Sequence, residues 1–531
     1  MSALRFGAVL EEQKLAVLTG SPLFRALVDS LPARRGGGRP SDVSPAAALF
    51  VGAVVAVYQS TRKADTFLEV HWLKFRRLLV HAGYSVPLSP PRASHWHAYR
   101  TEYLSHPEAI EEMLNRWRPV AVAMAADMGL GVPGTEPVDY LNLAMESLLF
   151  GDGCWFKMAS ELGYSRPITA SRAGRGGAPR EVYDAVVHGK RGGKTAGYPM
   201  TAIGIRGPKR RQRIIVDVDI ALAGNPTAEI DHVIERLGLL LPLFPVGGVN
   251  GFVYDGAMRG KHHRFIRARL GLLSVNKLVG FNKAKSMKKE MCDLLGLHAK
   301  DPQRKPRPRD WVRLMYRRPA PRKDQWTMTF PTCTHRMGIQ YGALWTVENE
   351  RPNLVGVSPE LKHVRDRWGR PCRTVGVRRI PVGDRYRWEV DVRIHCPYGP
   401  HVITFDPNAS KLKYQMRRSR TTRANRLHLI DPDATETTEV VARGITLSQQ
   451  FGVVDQTHTE RFARMFGRRN DAESWNSSLK NADGLGSRAR PFTRDRFLVD
   501  LLLVTTVRNT LAWLEHSDPD TRQADSAAGW C

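Results

Sequence analysis

From Glu146 onward the apolar residues change their spacing, and this change limits the possible folds more than any other feature of the chain. Leu148-Leu-Phe150 leads into Gly151-Asp152-Gly153, and apolar runs at Pro199 to Ile205 and Arg213 to Leu222 also read as strands. Pro226-Thr227 opens a helix that reaches Leu237. Val249 to Tyr254 is another apolar strand, ending on Asp255, followed by a helix from about Arg259 to Leu270 and a strand at Leu272 to Val279. The order strand, strand, strand, helix, strand, helix, strand predicts an α/β domain.

The residues before Glu146 have the 3.6-residue spacing of helices. After a short helical arm, the Gly/Arg-rich stretch Ala33 to Pro40 reads as a linker. Ser44-Pro45 supplies an N-cap and first turn to the apolar run Ala46 to Tyr58, which is too short for the ~20 residues of a membrane span and reads as a buried helix. Ser105-His-Pro-Glu108 is a capping box for a helix running to about Gly129. Trp72-Leu-Lys-Phe-Arg-Arg77 and Trp96-His-Ala-Tyr-Arg100 interleave aromatic and basic residues. Two readings stay open there: core aromatics beneath solvated cations, or a helical module that grips nucleic acid, although no clean helix-turn-helix pattern names a recognition helix.

Residues from about Ser286 to Asp455 bring Trp311, Trp326, Trp345, Trp368 and Trp388, many prolines, and alternating segments such as Tyr386 to Ile394, which predict an antiparallel β insertion. Thr493 starts a closing helix to about His516, and the polar tail Ser517 to Cys531 reads as disordered. The expected division is therefore a helical DNA-binding region over 1–140, a core over 141–285 and 456–516, an insertion over 286–455 and a tail over 517–531.

Lys and Arg number 80 against 52 Asp and Glu, a formal charge of +28 spread over most of the chain, which points to a polyanionic partner. The hydrophobic fraction of 42% over 531 residues is enough for two or three packed domains and excludes a disordered basic chain. Cys154, Cys292, Cys333, Cys372, Cys396 and Cys531 form no CxxC pair, which argues against a zinc ribbon or disulfide framework and for a reducing, cytoplasmic compartment. The amino terminus has no apolar core suited to a signal peptide.

Phe466, Arg469, Glu473 and Lys480 step by three, four and seven residues, so they fall near one face of a helix. A carboxylate flanked by two cations suits phosphoryl transfer; the same spacing also describes an amphipathic surface helix with an ion-pair ladder. The pattern Phe466-x2-Arg469-x3-Glu473-x6-Lys480 resembles the tyrosine-arginine-glutamate-lysine signature of a group of bacterial insertion-sequence transposases, the DDE enzymes with a ribonuclease H-like catalytic domain. It departs once, because Phe466 keeps the stacking surface of the usual tyrosine but lacks its hydroxyl.

The resemblance spans roughly residues 40 to 516, and it implies a ribonuclease H-like mixed sheet with a β-rich insertion, preceded by an α-helical DNA-binding region. It implies metal-dependent strand cleavage and strand transfer by Asp152, Asp255 and Glu473, which would hold two Mg²⁺ or Mn²⁺ ions. It further implies DNA contacts by Phe466, Arg469, Lys480, Arg259 and Lys261. An insertion tryptophan is expected to stack on a flipped base. The expected partners are double-stranded DNA, as terminal inverted repeats and target, and a second copy in a synaptic homodimer associated with the nucleoid, with no membrane. Asp184, in the strand-like Val182 to Val187, rivals Asp152, which is preferred because its own run is longer and more apolar. Asp217 and Asp219 are expected to face solvent. Two other functions share these features: an inactive, transposase-derived DNA-binding regulator, and a metal-dependent nuclease without joining activity.

Overall fold

The computed structural model describes residues 11–31, 43–58, 60–104, 107–140, 143–158, 186–190, 193–209, 211–221, 228–254, 258, 260–275, 336–340, 343–348, 351–357, 373–394, 401–405, 464–481, 488–489 and 494–517. Six helices come first: α1 (Glu11–Thr19), α2 (Pro22–Asp29), α3 (Pro45–Tyr58), α4 (Thr61–His81), α5 (Ala93–Tyr103) and α6 (Pro107–Asp127). Strands β1 (Leu148–Met158), β2 (Val186–Lys190), β3 (Gly193–Arg206) and β4 (Arg213–Ile220) follow, then α7 (Ala228–Leu240), β5 (Gly251–Val253), α8 (Gly260–Ala268) and β6 (Leu273–Val275). Six strands come next: β7 (Arg336–Gln340), β8 (Ala343–Glu348), β9 (Arg351–Val357), β10 (Arg373–Val382), β11 (Arg385–Ile394) and β12 (His401–Phe405). The described chain closes with α9 (Arg469–Asn481), β13 (Arg488–Ala489) and α10 (Arg494–His516).

These elements make an α/β fold with a mixed sheet, and they form two compact units. The first is Met1–Thr135, Ala144–Val249 and Arg468–Cys531; the second is Glu136–Leu143 and Asn250–Gly467.

In the first unit β3 pairs antiparallel with β1, β2 and β4, while β13 runs parallel to β1 through Lys157 and Arg488. The β3–β4 register shifts between Ile203 and Gly204, which pair with Asp217 and Ile215 and leave Val216 as the extra residue of a bulge. Asn509 of α10 bonds both backbone groups of Ile215, accepting from its N–H at 3.0 Å and donating to its carbonyl at 2.7 Å.

Helix α10 explains why the six N-terminal helices share this unit. It is apolar nearly all round, and such a helix needs neighbours on every side; it packs against α1, α2, α3, α6 and β4. Each Leu it buries contributes about 1.5–3 kcal/mol. Among the described residues it is the one helix long and apolar enough to cross a membrane, but 83% of its apolar window is buried inside the protein. Its polar side chains have partners there: Thr510 bonds Ser21 at 2.6 Å, Thr506 accepts from Trp117 at 2.9 Å, and Asp500 pairs with Arg100 at 3.2 Å.

The cap expected at Ser44 is present, with its hydroxyl accepting from Ala47 N–H at 3.3 Å, and α3 is buried as expected. Trp72, Phe75, Trp96 and Tyr99 are all buried, so the interleaved aromatics are core. Lys74 beside them is exposed and pairs with Glu12. Ala33 to Pro40, Asp184 and the tail beyond Ser517 lie outside the described residues.

In the second unit β5 and β6 pair in parallel, and β7–β9 and β10–β12 form two antiparallel three-stranded sheets, as the alternating pattern predicts. Trp388 of β11 is buried, donates to the Arg267 carbonyl at 2.8 Å and packs edge-on against Tyr140. That buried position places Trp388 in the core of its own unit, so the expected base stacking would fall to one of the other four tryptophans. The side chain of Trp345 and all of Trp311, Trp326 and Trp368 lie outside the described residues.

Candidate functional site

Strand β1 alternates its side chains, so Phe150, Asp152, Cys154 and Phe156 share one face and Gly153 belongs to the other. The Asp152 face meets α9 and α10. Asn476 of α9 donates from Nδ2 to Asp152 Oδ2 at 3.0 Å, and the Phe156 ring lies edge-on to Phe497 of α10. Both Asp152 and Asn476 are buried. Lys480, one turn past Asn476, sets its ammonium 5.3 Å from the centroid of Phe156, on the same face of β1 as Cys154. Burial pushes the Cys154 thiol above its ordinary pKa, and Lys480 opposes that shift.

On the opposite face a side chain at Gly153 would collide with the carboxylate of Glu229, from the first turn of α7. Glycine at this position therefore lets α7 lie close on the sheet, which gives the Gly-Asp-Gly sequence a packing reason beside any chemical one.

Helix α9 is pinned at its start. Asp471, in its first turn, pairs with Arg206 of β3 and with Arg468, and Arg213 of β4 donates to the Asp471 carbonyl. Glu473 follows, half-exposed, and Arg469 pairs with it at 2.7 Å. Phe466 precedes the helix and is separated from it by the turn at Gly467 and Arg468, so only three of the four signature residues stand on α9. The structure thus brings Asp152, Lys480 and Asn476 together and pairs Glu473 with Arg469. Asp255 lies just past the end of β5, outside the described residues, as do Arg259 and the side chain of Lys261. Among the described residues no three His, Cys, Asp or Glu side chains gather as a metal cluster.

Asp217 and Asp219 correct a sequence expectation, because both are buried. Arg118 of α6 bonds Asp217 at 2.5 Å and Arg236 of α7 bonds it at 3.1 Å. Arg494 of α10 and His232 of α7 lie 3.2 Å and 3.3 Å from Asp219. Burial pushes the Asp217 carboxyl up to about 6 against the pull of Arg118. Asp219 is also pushed up by burial, but the hydrogen bond and charge of His232, with Arg494, outweigh that and hold it below its usual range.

Sequence reasoning missed Asn476, Asp471 and Glu229. The one available signal was spacing: Asn476 stands three residues after Glu473, hence beside it on the helix. No protein-family model matches the chain, and no curated protein matches it in sequence.

Proposed function

We propose that this protein is a DDE transposase with a ribonuclease H-like core, which cleaves and joins the DNA of an insertion sequence with Asp152, Asp255 and Glu473 as its metal ligands. The observation that carries the reading is the contact between Asp152 on β1 and Asn476 on α9, because it sets a first-strand aspartate against the helix that bears the signature. The strand and helix order and the charge of +28 support it.

The groups present suit a hard divalent ion: Asp152 offers carboxylate oxygen, and the buried Asn476 Oδ1 finds no hydrogen-bond donor among the described residues. Divalent ions held there would supply Lewis-acid activation of the attacking oxygen and stabilisation of the leaving 3′ oxygen. The chain supplies the rest. β1 fixes Asp152 rigidly, and Lys480 beside it offers a cation to a neighbouring phosphate. An i,i+4 pair at the surface is worth only about 0.3–0.5 kcal/mol, so the Arg469 contact does not hold Glu473 back from a stronger ligand, and it frees Arg469 for a phosphate.

The Arg469–Glu473 pair is also what an inactive DNA-binding descendant of such an enzyme would retain. Glu473→Gln separates the two readings when DNA carrying the element's inverted repeats is cut in Mg²⁺. The transposase reading expects a wild type that cuts, and a variant that binds DNA normally but cuts about a thousandfold more slowly, a barrier change of roughly 4 kcal/mol. A variant cutting at the wild-type rate overturns the site, and a wild type that binds but never cuts supports the inactive regulator.

A further inference from the structure

We infer that the exposed face of α4 is a docking surface for duplex DNA, with Lys63 and Arg77 on phosphates and Val70 and Leu73 against base edges in the major groove. None of these residues belongs to the proposed metal site. The inference rests on the proposed function only for its target, the DNA ends of an insertion sequence.

Helix α4 carries two stripes. Ala64, Phe67, Leu68, Trp72, Phe75 and Leu79 are buried, and Phe50 of α3 packs on Trp72 and Phe75 with ring centroids 6.3 Å and 5.0 Å apart. Lys63, Thr66, Val70, Leu73, Arg77 and Val80 step by three, four, three, four and three residues, so they line up as a second stripe, and all six are exposed. Val70 is 70% exposed, Leu73 64% and Val80 48%. Aliphatic side chains scattered singly on a surface are ordinary. Three in line, on a helix that has already buried its core face, make an apolar strip in need of a partner.

The charges around the strip select that partner. Helix α4 holds Arg62, Lys63, Lys74, Arg76 and Arg77 against Asp65 and Glu69. Asp65 accepts from the Ala93 N–H at 2.6 Å, and Lys74 pairs with Glu12 of α1. Arg62, Lys63 and Arg77 form no ion pair among the described residues. Unpaired cations therefore stand on both sides of Val70 and Leu73. A second copy of the chain fits this pattern badly. Parallel pairing would set Lys63 and Arg77 against their own counterparts, and antiparallel pairing would set Arg77 beside the other copy's Lys63.

A duplex fits on each count. Its phosphates take the cations. Its major groove, about 12 Å wide, admits a helix, and Lys63 and Arg77 lie about 21 Å apart along the axis, enough to reach phosphates on both sides of the groove. Thymine methyl groups offer Val70 and Leu73 apolar partners that a bare phosphate chain lacks. Glu69, exposed beside Leu73 on the helix surface, is a group that accepts from the cytosine amine.

The test reads binding by the full-length protein, as fluorescence anisotropy of a labelled duplex taken from the DNA beside the gene and of a scrambled duplex of the same composition, over a range of salt. Circular-dichroism melting verifies that the variants fold. Lys63→Ala and Arg77→Ala should each flatten the log-log salt dependence by about 0.9 on both duplexes. Val70→Ala combined with Leu73→Ala should weaken binding to the flanking duplex about tenfold and leave the scrambled duplex unchanged. Lys209→Ala, at the exposed turn between β3 and β4, is the control and should change neither. Unchanged slopes in Lys63→Ala and Arg77→Ala, or an equal fall in Lys209→Ala, overturn the docking face. A flanking preference that survives the double substitution overturns the base contacts, and a wild type without that preference overturns them together with the proposed target. Variants that keep their DNA affinity but lose binding to vesicles of phosphatidylserine and phosphatidylcholine would make the strip a membrane contact and overturn the inference. Cutting is not read, so the docking face can fail while the proposed metal site stands.

Discussion

Strands β1 and β4 each bury carboxylates in the same unit, yet the two places are built for different ends. Asp217 and Asp219 of β4 are met by Arg118, Arg236, Arg494 and His232, drawn from three helices. Asp152 of β1 is oriented by the neutral amide of Asn476, with the Lys480 ammonium nearby against Cys154 and Phe156. Burial is common to all three aspartates, so burial does not mark a site. The contacts differ: fixed guanidiniums turn the β4 carboxylates into ties between elements, whereas the Asn476 amide fixes the direction of Asp152 with a neutral donor.

The largest effect that could break this comparison is on stability. Asp217→Ala leaves Arg118 and Arg236 buried without their carboxylate, and removing one partner of a buried pair costs about 3–5 kcal/mol. Urea unfolding should show that loss, whereas Asp152→Asn, which keeps the volume and an oxygen to accept from Asn476, should cost less than about 1 kcal/mol on the scale of tolerated substitutions. Equal losses in the two variants would erase the distinction.

A smaller effect is on pH dependence. Burial raises Asp217 and Asp500 to about 6, against the opposing pull of Arg118 and Arg100. Between the ordinary value of 3.8 and about 6 the folded form binds protons that the unfolded chain has released. The stability from each group is therefore fully present below the unfolded value and is lost as pH rises through the folded one. Asp219, held low, works in the opposite sense: its contribution is present above 3.8 and is lost as pH falls through its folded value. The stability difference between wild type and Asp500→Asn, measured by urea unfolding from pH 4 to 7, should shift against the wild type up to about pH 6 and then level off. A difference that does not vary with pH would contradict the assignment.

The features legible in the sequence are those set by local pattern. Leu148 to Phe156, Pro199 to Ile205 and Arg213 to Leu222 read as strands because their apolar runs are continuous, and Thr493 to His516 reads as a helix because its length exceeds any strand. Ser44 reads as a cap because a hydroxyl before Pro45 has one good use. Asp217 and Asp219 were misread because a Val-Asp-Val-Asp run looks like a strand with a wet face, and the cations that bury them lie far along the chain, on α6, α7 and α10. Asn476 was invisible for the same reason, since its partner stands 324 residues away. The aromatic and basic mixture at Trp72 and Trp96 looked the same under either reading, and only burial separates core from a binding face.

The most direct test of the central claim follows cleavage of a supercoiled plasmid carrying the DNA that flanks the gene, in Mg²⁺, by wild type and by Asp152→Asn, with binding to the same ends measured alongside. The account predicts that both proteins bind the ends and that only the wild type cuts, with the variant slower by about a thousandfold. Cutting by Asp152→Asn at the wild-type rate would contradict it.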